Sequence, residues 1–168
     1  MNYYIIDTNV PLKAATHPSD EIDRKCSYEC LRFIKKLMNS SVDVAVIDTQ
    51  GEILQEYLKY LTDGSQDTVA TEFFKWILQN RYSSNKVSVY SITKTAENTY
   101  SEFPDSASLN GFDLSDRKFV ALSVAHPKHP PICNGSDTDW WDYRGALEKE
   151  GIHVKFLCEE YMIAKAKA

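Results

Sequence analysis

The chain has 168 residues, 43% of them hydrophobic and 26% charged, which suits one globular domain spanning 1–168 with a substantial core. A net charge of -5 argues against a protein that coats nucleic acid through a large basic surface, but does not exclude a nuclease whose acids are neutralised by metal. No apolar run approaches the roughly 18 residues that span a membrane, and the N-terminus lacks the basic start and apolar stretch of a signal peptide, so a cytoplasmic protein with no membrane partner is expected.

Tyr3-Tyr4-Ile5-Ile6 stops at Asp7, the pattern of a buried strand that delivers a carboxylate to its C-terminal tip. Ser19-Asp20 caps a predicted helix running to about Asn39, with Ile22, Cys26, Cys30, Phe33, Ile34, Leu37 and Met38 recurring at three- and four-residue intervals. The four cysteines, Cys26, Cys30, Cys133 and Cys158, form no C-x-x-C pair and read as small buried hydrophobes rather than zinc ligands or disulfides. Val42 to Ile47 is nearly continuous in apolar residues, as in a parallel sheet covered on both faces. A helix is predicted from about Gly51 to Leu61, broken by Asp63-Gly64-Ser65, and another near Thr68 to Asn80. Lys86 to Ile92 is a strand or an extended connection, and Glu102 to Gly111 is a loop. A helix from Asp113 to about Ala125 ends at His126-Pro127. Pro131 to Asn134 is a short strand, 135–139 a turn, and Trp140 to Glu150 a helix closed by Gly151. Ile152 to Leu157 is the last strand, and the tail from Glu159 adds a short helix. Alternating strands and helices give an α/β fold with a mostly parallel central sheet.

Four groups of acids sit beside strand ends or helix starts: Asp7; Asp48 with Glu52 and Glu56; Asp113 with Asp116; Asp137 with Asp139. Ligands of open α/β sheets bind beyond the strand C-termini. Asp7 competes with a capping role for the segment that starts at Thr8 or Asn9. Glu52 lies three residues after Thr49, a capping box that explains it structurally, so Glu56 is the favoured site glutamate and Glu52 the alternative. Asp113 reads as an N-cap and Asp116 as the site residue, though a first-turn acid is also favoured by the helix dipole. Asp137 ranks ahead of Asp139, against an Asx turn. Such a cluster holds Mg²⁺ or Mn²⁺ through hard oxygen contacts and serves phosphodiester hydrolysis without an activated Ser or Cys. Arg117 and Lys118 are candidates for substrate phosphate contact, against a solvated helix surface. His17, His126, His129 and His153 are scattered and read as surface or loop residues.

Taken in order, Ile5-Ile6-Asp7-Thr8-Asn9, Ile53-Leu54-Gln55-Glu56-Tyr57, the run Asp113 to Leu122, and Asn134-Gly135-Ser136-Asp137-Thr138-Asp139-Trp140 resemble the PIN domain. The resemblance covers nearly the whole chain, and its order and spacing are more specific than any one motif. It implies a Rossmann-like sheet with the acids in a central cleft and a metal-dependent ribonuclease. The family's acids fall on Asp7, Glu56, Asp116 and Asp137, with Asp139 sometimes joining, and its small polar residue on Thr8 or Asn9. The stretch between Leu61 and Gly111 is long for the compact toxin-type members. The expected function is an endoribonuclease cutting RNA with Mg²⁺ or Mn²⁺, as a toxin or defence effector, with a protein regulator or a second copy as further partners. The competing function is a PIN-like scaffold that binds RNA or a protein without cutting; filled acid positions favour the enzyme. A phosphatase or receiver-like module is set aside because Asp7 is followed by Thr8-Asn9 rather than by the D-x-D such enzymes use.

Overall fold

The computed structural model describes residues 1–62 and 67–167, so the break predicted at Asp63-Gly64-Ser65 lies outside the described residues. The apolar N-terminal run is strand β1 (Asn2–Ile6), and a short helix that the sequence did not announce, α1 (Asn9–Ala14), follows it. Helix α2 (Glu21–Asn39) begins where its cap was expected: the Asp20 carboxylate accepts the Asp23 N–H at 3.0 Å. Strand β2 (Asp43–Asp48) is buried along its full length, as its unbroken apolar run predicts.

Helix α3 (Glu52–Leu61) corrects the predicted capping box. Gly51, at φ 85°, is its N-cap, which makes Glu52 the first helical residue rather than the third. The donors at its start are satisfied by Asp48, whose carboxylate accepts from Glu52 N and Ile53 N, both at 2.9 Å. Helix α4 (Val69–Asn80) is capped by Thr68, and strand β3 (Val87–Tyr90) resolves the extended segment near Lys86 as a strand.

A hairpin of β4 (Lys94–Ala96) and β5 (Thr99–Tyr100), turning at Asn98 with φ 54°, was not legible in a stretch with no apolar alternation. The predicted helix at Asp113 starts instead as a 3-10 turn (Leu114–Asp116) and continues as α5 (Arg117–Ala125). After β6 (Ile132–Asn134), the expected single helix is two, α6 (Thr138–Asp142) and α7 (Arg144–Lys149). It starts early because Asp137 caps it, accepting Asp139 N at 3.0 Å, and it breaks at Tyr143, whose ring packs edge-on against Phe112. Strand β7 (Val154–Phe156) and helix α8 (Glu159–Lys167) end the described chain.

The sheet is five-stranded and parallel, in the order β3-β2-β1-β6-β7. The chain winds outward from β1 to β3, then crosses back to place β6 on the other side of β1. The order therefore reverses between β1 and β6, which opens a crevice at their C-terminal ends. Ile5, Ile6, Ile47, Ile132 and Cys133 form the middle of the core, with Tyr57, Phe73, Phe119 and Trp140 packed on it. Among the described residues no helix is long and apolar enough to cross a membrane.

Two readings of single residues are overturned. Cys26 and Cys158 are joined in a disulfide across a sequence separation of 132, because α8 packs against α2; local spacing carries no trace of so distant a pair. Cys30 and Cys133 are free and buried, as expected. His126 is buried rather than on the surface: its ring lies against Tyr3 and Tyr90, and its Nε2 meets Ser88 Oγ at 3.1 Å.

Candidate metal centre

The tip of β1 carries Asp7 into the crevice, and β1's partner β6 leads directly to Asp137. Asp116 arrives from the end of the 3-10 turn before α5. Oxygens of Asp7, Asp116 and Asp137 lie within 4.8 Å of one another. Asp7 Oδ1 accepts the Asn9 N–H at 3.0 Å, but Asp7 Oδ2 is buried with no partner among the described residues. The indole Nε1 of Trp140 is also buried and unpaired. It lies near enough to Asp7 to draw the carboxyl pKa down, yet not in hydrogen-bonding geometry, so both atoms count as unsatisfied.

The electrostatics follow from burial and crowding. Burial pushes the Asp7 carboxyl up to about 7, opposed by the Asn9 N–H and reinforced by Asp137 and Glu56. Burial also pushes Asp116 up to about 9, with Asp7, Asp137, Asp113 and Glu56 adding in the same direction. Asp137 is raised chiefly by burial and less by Asp139 and Asp113, against the Asp139 N–H that lowers it. Acids that repel one another this way are held charged most readily by a cation between them.

Glu56 stands beside this trio. Its Oε1 accepts from Thr8 Oγ1 at 2.6 Å, and its other oxygen forms an ion pair with Lys118. Lys118 is buried, and its ammonium also donates to Ser115 O. It is thus committed to the protein rather than offered to a substrate phosphate. Arg117 is likewise occupied, donating to Phe112 O at 3.2 Å and Asn110 O at 3.0 Å, with its guanidinium over the Phe103 ring. Glu52 is drawn away toward the hairpin, where Lys94 Nζ at 3.1 Å and Tyr100 Oη at 3.2 Å hold it. Asp113 caps its turn, accepting Ser115 N at 2.8 Å, and is exposed. Asp139 lies at the first turn of α6, close enough to raise Asp137.

Of the residues that support the trio, the sequence marks Asn9 and Thr8 as the small polar positions after the first acid and gives the others no supporting role. Asn9 ties the β6–α6 loop to α1: its Oδ1 accepts from Gly135 N at 2.7 Å and Ser136 N at 3.1 Å, and its Nδ2 donates to Asn134 Oδ1 at 2.8 Å. Asn134 in turn donates to Asp137 O at 3.0 Å. Tyr57, fully buried, donates from its hydroxyl to Ile6 O at 2.5 Å and pins α3 against the strand that carries Asp7. Asn9 is a polar residue after an acid, a weak hint; the Lys118–Glu56 pair spans sixty-two positions and had none. Compared with family models, curated proteins and solved structures, the chain matches none.

Proposed function

We propose that the protein is a PIN-type, metal-dependent nuclease in which Asp7, Asp116 and Asp137 hold Mg²⁺ or Mn²⁺ and RNA is the substrate. The observation that carries the metal reading is the buried, unpaired Asp7 oxygen within a cluster of three carboxylates. A buried carboxylate oxygen with no partner costs free energy that a coordinated cation removes. The donors are all hard oxygens, which suits Mg²⁺ or Mn²⁺ over softer metals. RNA as the substrate class rests on the resemblance of the four acid-bearing segments to the PIN domain.

A divalent ion held by Asp7, Asp116 and Asp137 would lower the pKa of a bound water and offset charge developing on phosphoryl oxygens. The remaining work falls to the chain. Asn9 fixes Asp7 through its N–H and Asp137 through the loop it clamps. Thr8 and Lys118 hold Glu56 in one orientation at the edge of the trio, where its carboxylate adds negative charge beside Asp7 and Asp116. Because Lys118 is paired with Glu56 inside the protein and Arg117 is tethered to the Asn110 and Phe112 carbonyls, charge compensation for substrate phosphate would fall mainly on the cation site.

The test is cleavage of single-stranded RNA by purified protein in Mn²⁺ and in Mg²⁺, with EDTA as the stop. Asp7→Asn keeps the shape and removes a ligand charge, so cutting should fall by roughly 100-fold or more, beyond the cost usual for outer partners of a metal ligand. The variant should also lose the Mn²⁺-dependent rise in melting temperature that the wild type shows. Tight RNA binding without cutting, in a protein whose melt ignores Mn²⁺, would replace the enzyme with a scaffold.

A further inference from the structure

We propose that the Cys26–Cys158 disulfide, with Cys30 beside it, is a reversible thiol–disulfide switch that sets the position of the loop carrying Asp137. The effect on metal rests on the reading of the acids given above; the effect on the loop does not.

The three sulfurs lie directly behind that loop. Cys26 and Cys30 are one helical turn apart on α2, and both face Cys158 at the head of α8. Cys30 Sγ is 3.8 Å from Cys158 Sγ. Cys26 Sγ is 3.8 Å from Gly135 O. A Cβ added at Gly135 would stand 2.8 Å from Cys30 Sγ and 3.0 Å from Asn9 Oδ1, so the loop is wedged between the sulfur cluster and the asparagine that clamps it. From Gly135 the connection to the site is short: Asn134 Nδ2 holds Asp137 O, and Asp137 joins Asp7 and Asp116. The sulfurs are thus in contact with the loop backbone, two residues from an acid of the trio.

The bond itself is buried, with Cys26 2% and Cys158 5% exposed, but a groove leads to it. A surface groove of about 370 Å³ is lined by Ile22, Lys25, Glu29 and Tyr161 together with Cys26 and Cys158. Its wall on the α8 side is held to α2 by the exposed pair Lys25–Glu160 at 2.7 Å. When the α8 wall parts from α2, a small dithiol entering there attacks Cys158 Sγ; the S–S bond to Cys26 breaks, and Cys26 leaves as a thiolate that takes up a proton. The second thiol of the reductant resolves the mixed disulfide. Two electrons and two protons pass from the dithiol, which becomes a disulfide, to Cys26 and Cys158. Cys30 offers a route with no net redox change: its sulfur attacks Cys158 Sγ, Cys26 is released, and the proton moves from Cys30 to Cys26. Burial pushes the Cys30 thiol up to about 12, which keeps it protonated and makes this exchange slow while the cluster stays closed.

The experiment uses the full chain in its oxidised form, with free thiols counted, and the same protein treated with a dithiol and then reoxidised. Hydrogen exchange is followed in the 134–139 segment, and Mn²⁺ is titrated into each form. Reduction should release two thiols without denaturant, speed exchange of the Gly135 and Ser136 amides roughly tenfold while β2 and β3 stay protected, and weaken Mn²⁺ binding several-fold. Reoxidation should restore both. Cys158→Ser should show the reduced behaviour and ignore dithiol; Cys30→Ser should still respond. Equal exchange in the two forms, no thiol released by dithiol, or protection lost across the whole sheet on reduction would each overturn the switch, the last by making the bond a plain structural staple. Absence of Mn²⁺ binding in both forms would overturn the metal reading alone, since the exchange measurement still decides the switch.

Discussion

Two glutamates four positions apart on one helix are each held by a lysine and a hydroxyl, and the difference is where those partners lie. Glu52 is held by Lys94 and Tyr100 of the hairpin, outside the acid trio. Glu56 is held by Thr8 and Lys118 and lies close enough to Asp7 and Asp116 to raise both carboxyl pKa values. Under the proposed function, Glu56→Gln should cut RNA cleavage by roughly 10- to 100-fold at saturating Mn²⁺, about the cost of disturbing the shell around a metal site, while Glu52→Gln should leave turnover within about threefold. Initial rates on one RNA substrate check this, and the reverse ranking would move the site toward the hairpin. Lys118 belongs to the same scale. Truncating it to Met leaves Glu56 partly buried without its cation, and unfolding free energy should drop by about 2–3 kcal/mol, below the usual cost for a fully buried pair because Glu56 keeps some solvent. A urea midpoint unchanged from wild type would mean the pair is no more than surface charge.

At the scale of elements, the helices that flank the crevice are fixed by acids doing two kinds of work. Asp48 looks in sequence like Asp7, an acid ending an apolar strand, yet it caps α3 through two backbone N–H groups and is not among the three clustered acids. Asp48→Ala should cost about 2 kcal/mol, at the upper end for a lost cap because one buried and one half-buried donor lose their acceptor. Circular dichroism melts with and without Mn²⁺ check it: stability should fall by a similar amount in both, since the three acids proposed to hold the metal remain. A change confined to the Mn²⁺ condition would instead make Asp48 part of the site.

For the whole molecule, the raised acids write a pH dependence. Asp7 at about 7 and Asp116 at about 9 stand above their unfolded values near 3.9, so the metal-free native state binds more protons than the unfolded chain between those limits. Their contribution is complete below the unfolded value and is lost as pH rises through the folded ones. His126, lowered by burial, acts with the opposite sign, but only below about pH 6.5, and the buried thiols add a loss of the same sign as the acids only above about pH 8.5. Between about pH 7 and 8.5 the acids dominate. In EDTA, unfolding free energy should fall by about 1–2 kcal/mol across that window, the slope should flatten in Asp116→Asn, and Mn²⁺ should reverse it by favouring the ionised acids. Chemical denaturation at three pH values measures this, and stability rising with pH in EDTA would rule out crowded, buried acids.

What the sequence by itself determined were the features that depend on near neighbours. Unbroken apolar runs located β1 and β2, period-four apolar positions located α2 and α4, and Asp20 and Thr68 marked helix starts that the structure keeps. The placement of Asp7, Asp116 and Asp137 at strand tips and a helix start was also local information, and their convergence follows once β6 returns beside β1. The sequence placed Glu52 in a capping box because T-x-x-E is indistinguishable from one until Gly51 takes a positive φ and hands the cap to Asp48. Tertiary structure alone decided the contacts between distant residues. Cys26 with Cys158, Lys118 with Glu56, and Asn9 with Gly135 are set by how helices and loops stack on the finished sheet. Periodicity reports which face of an element is buried, and says nothing of which residue from another element will meet it there.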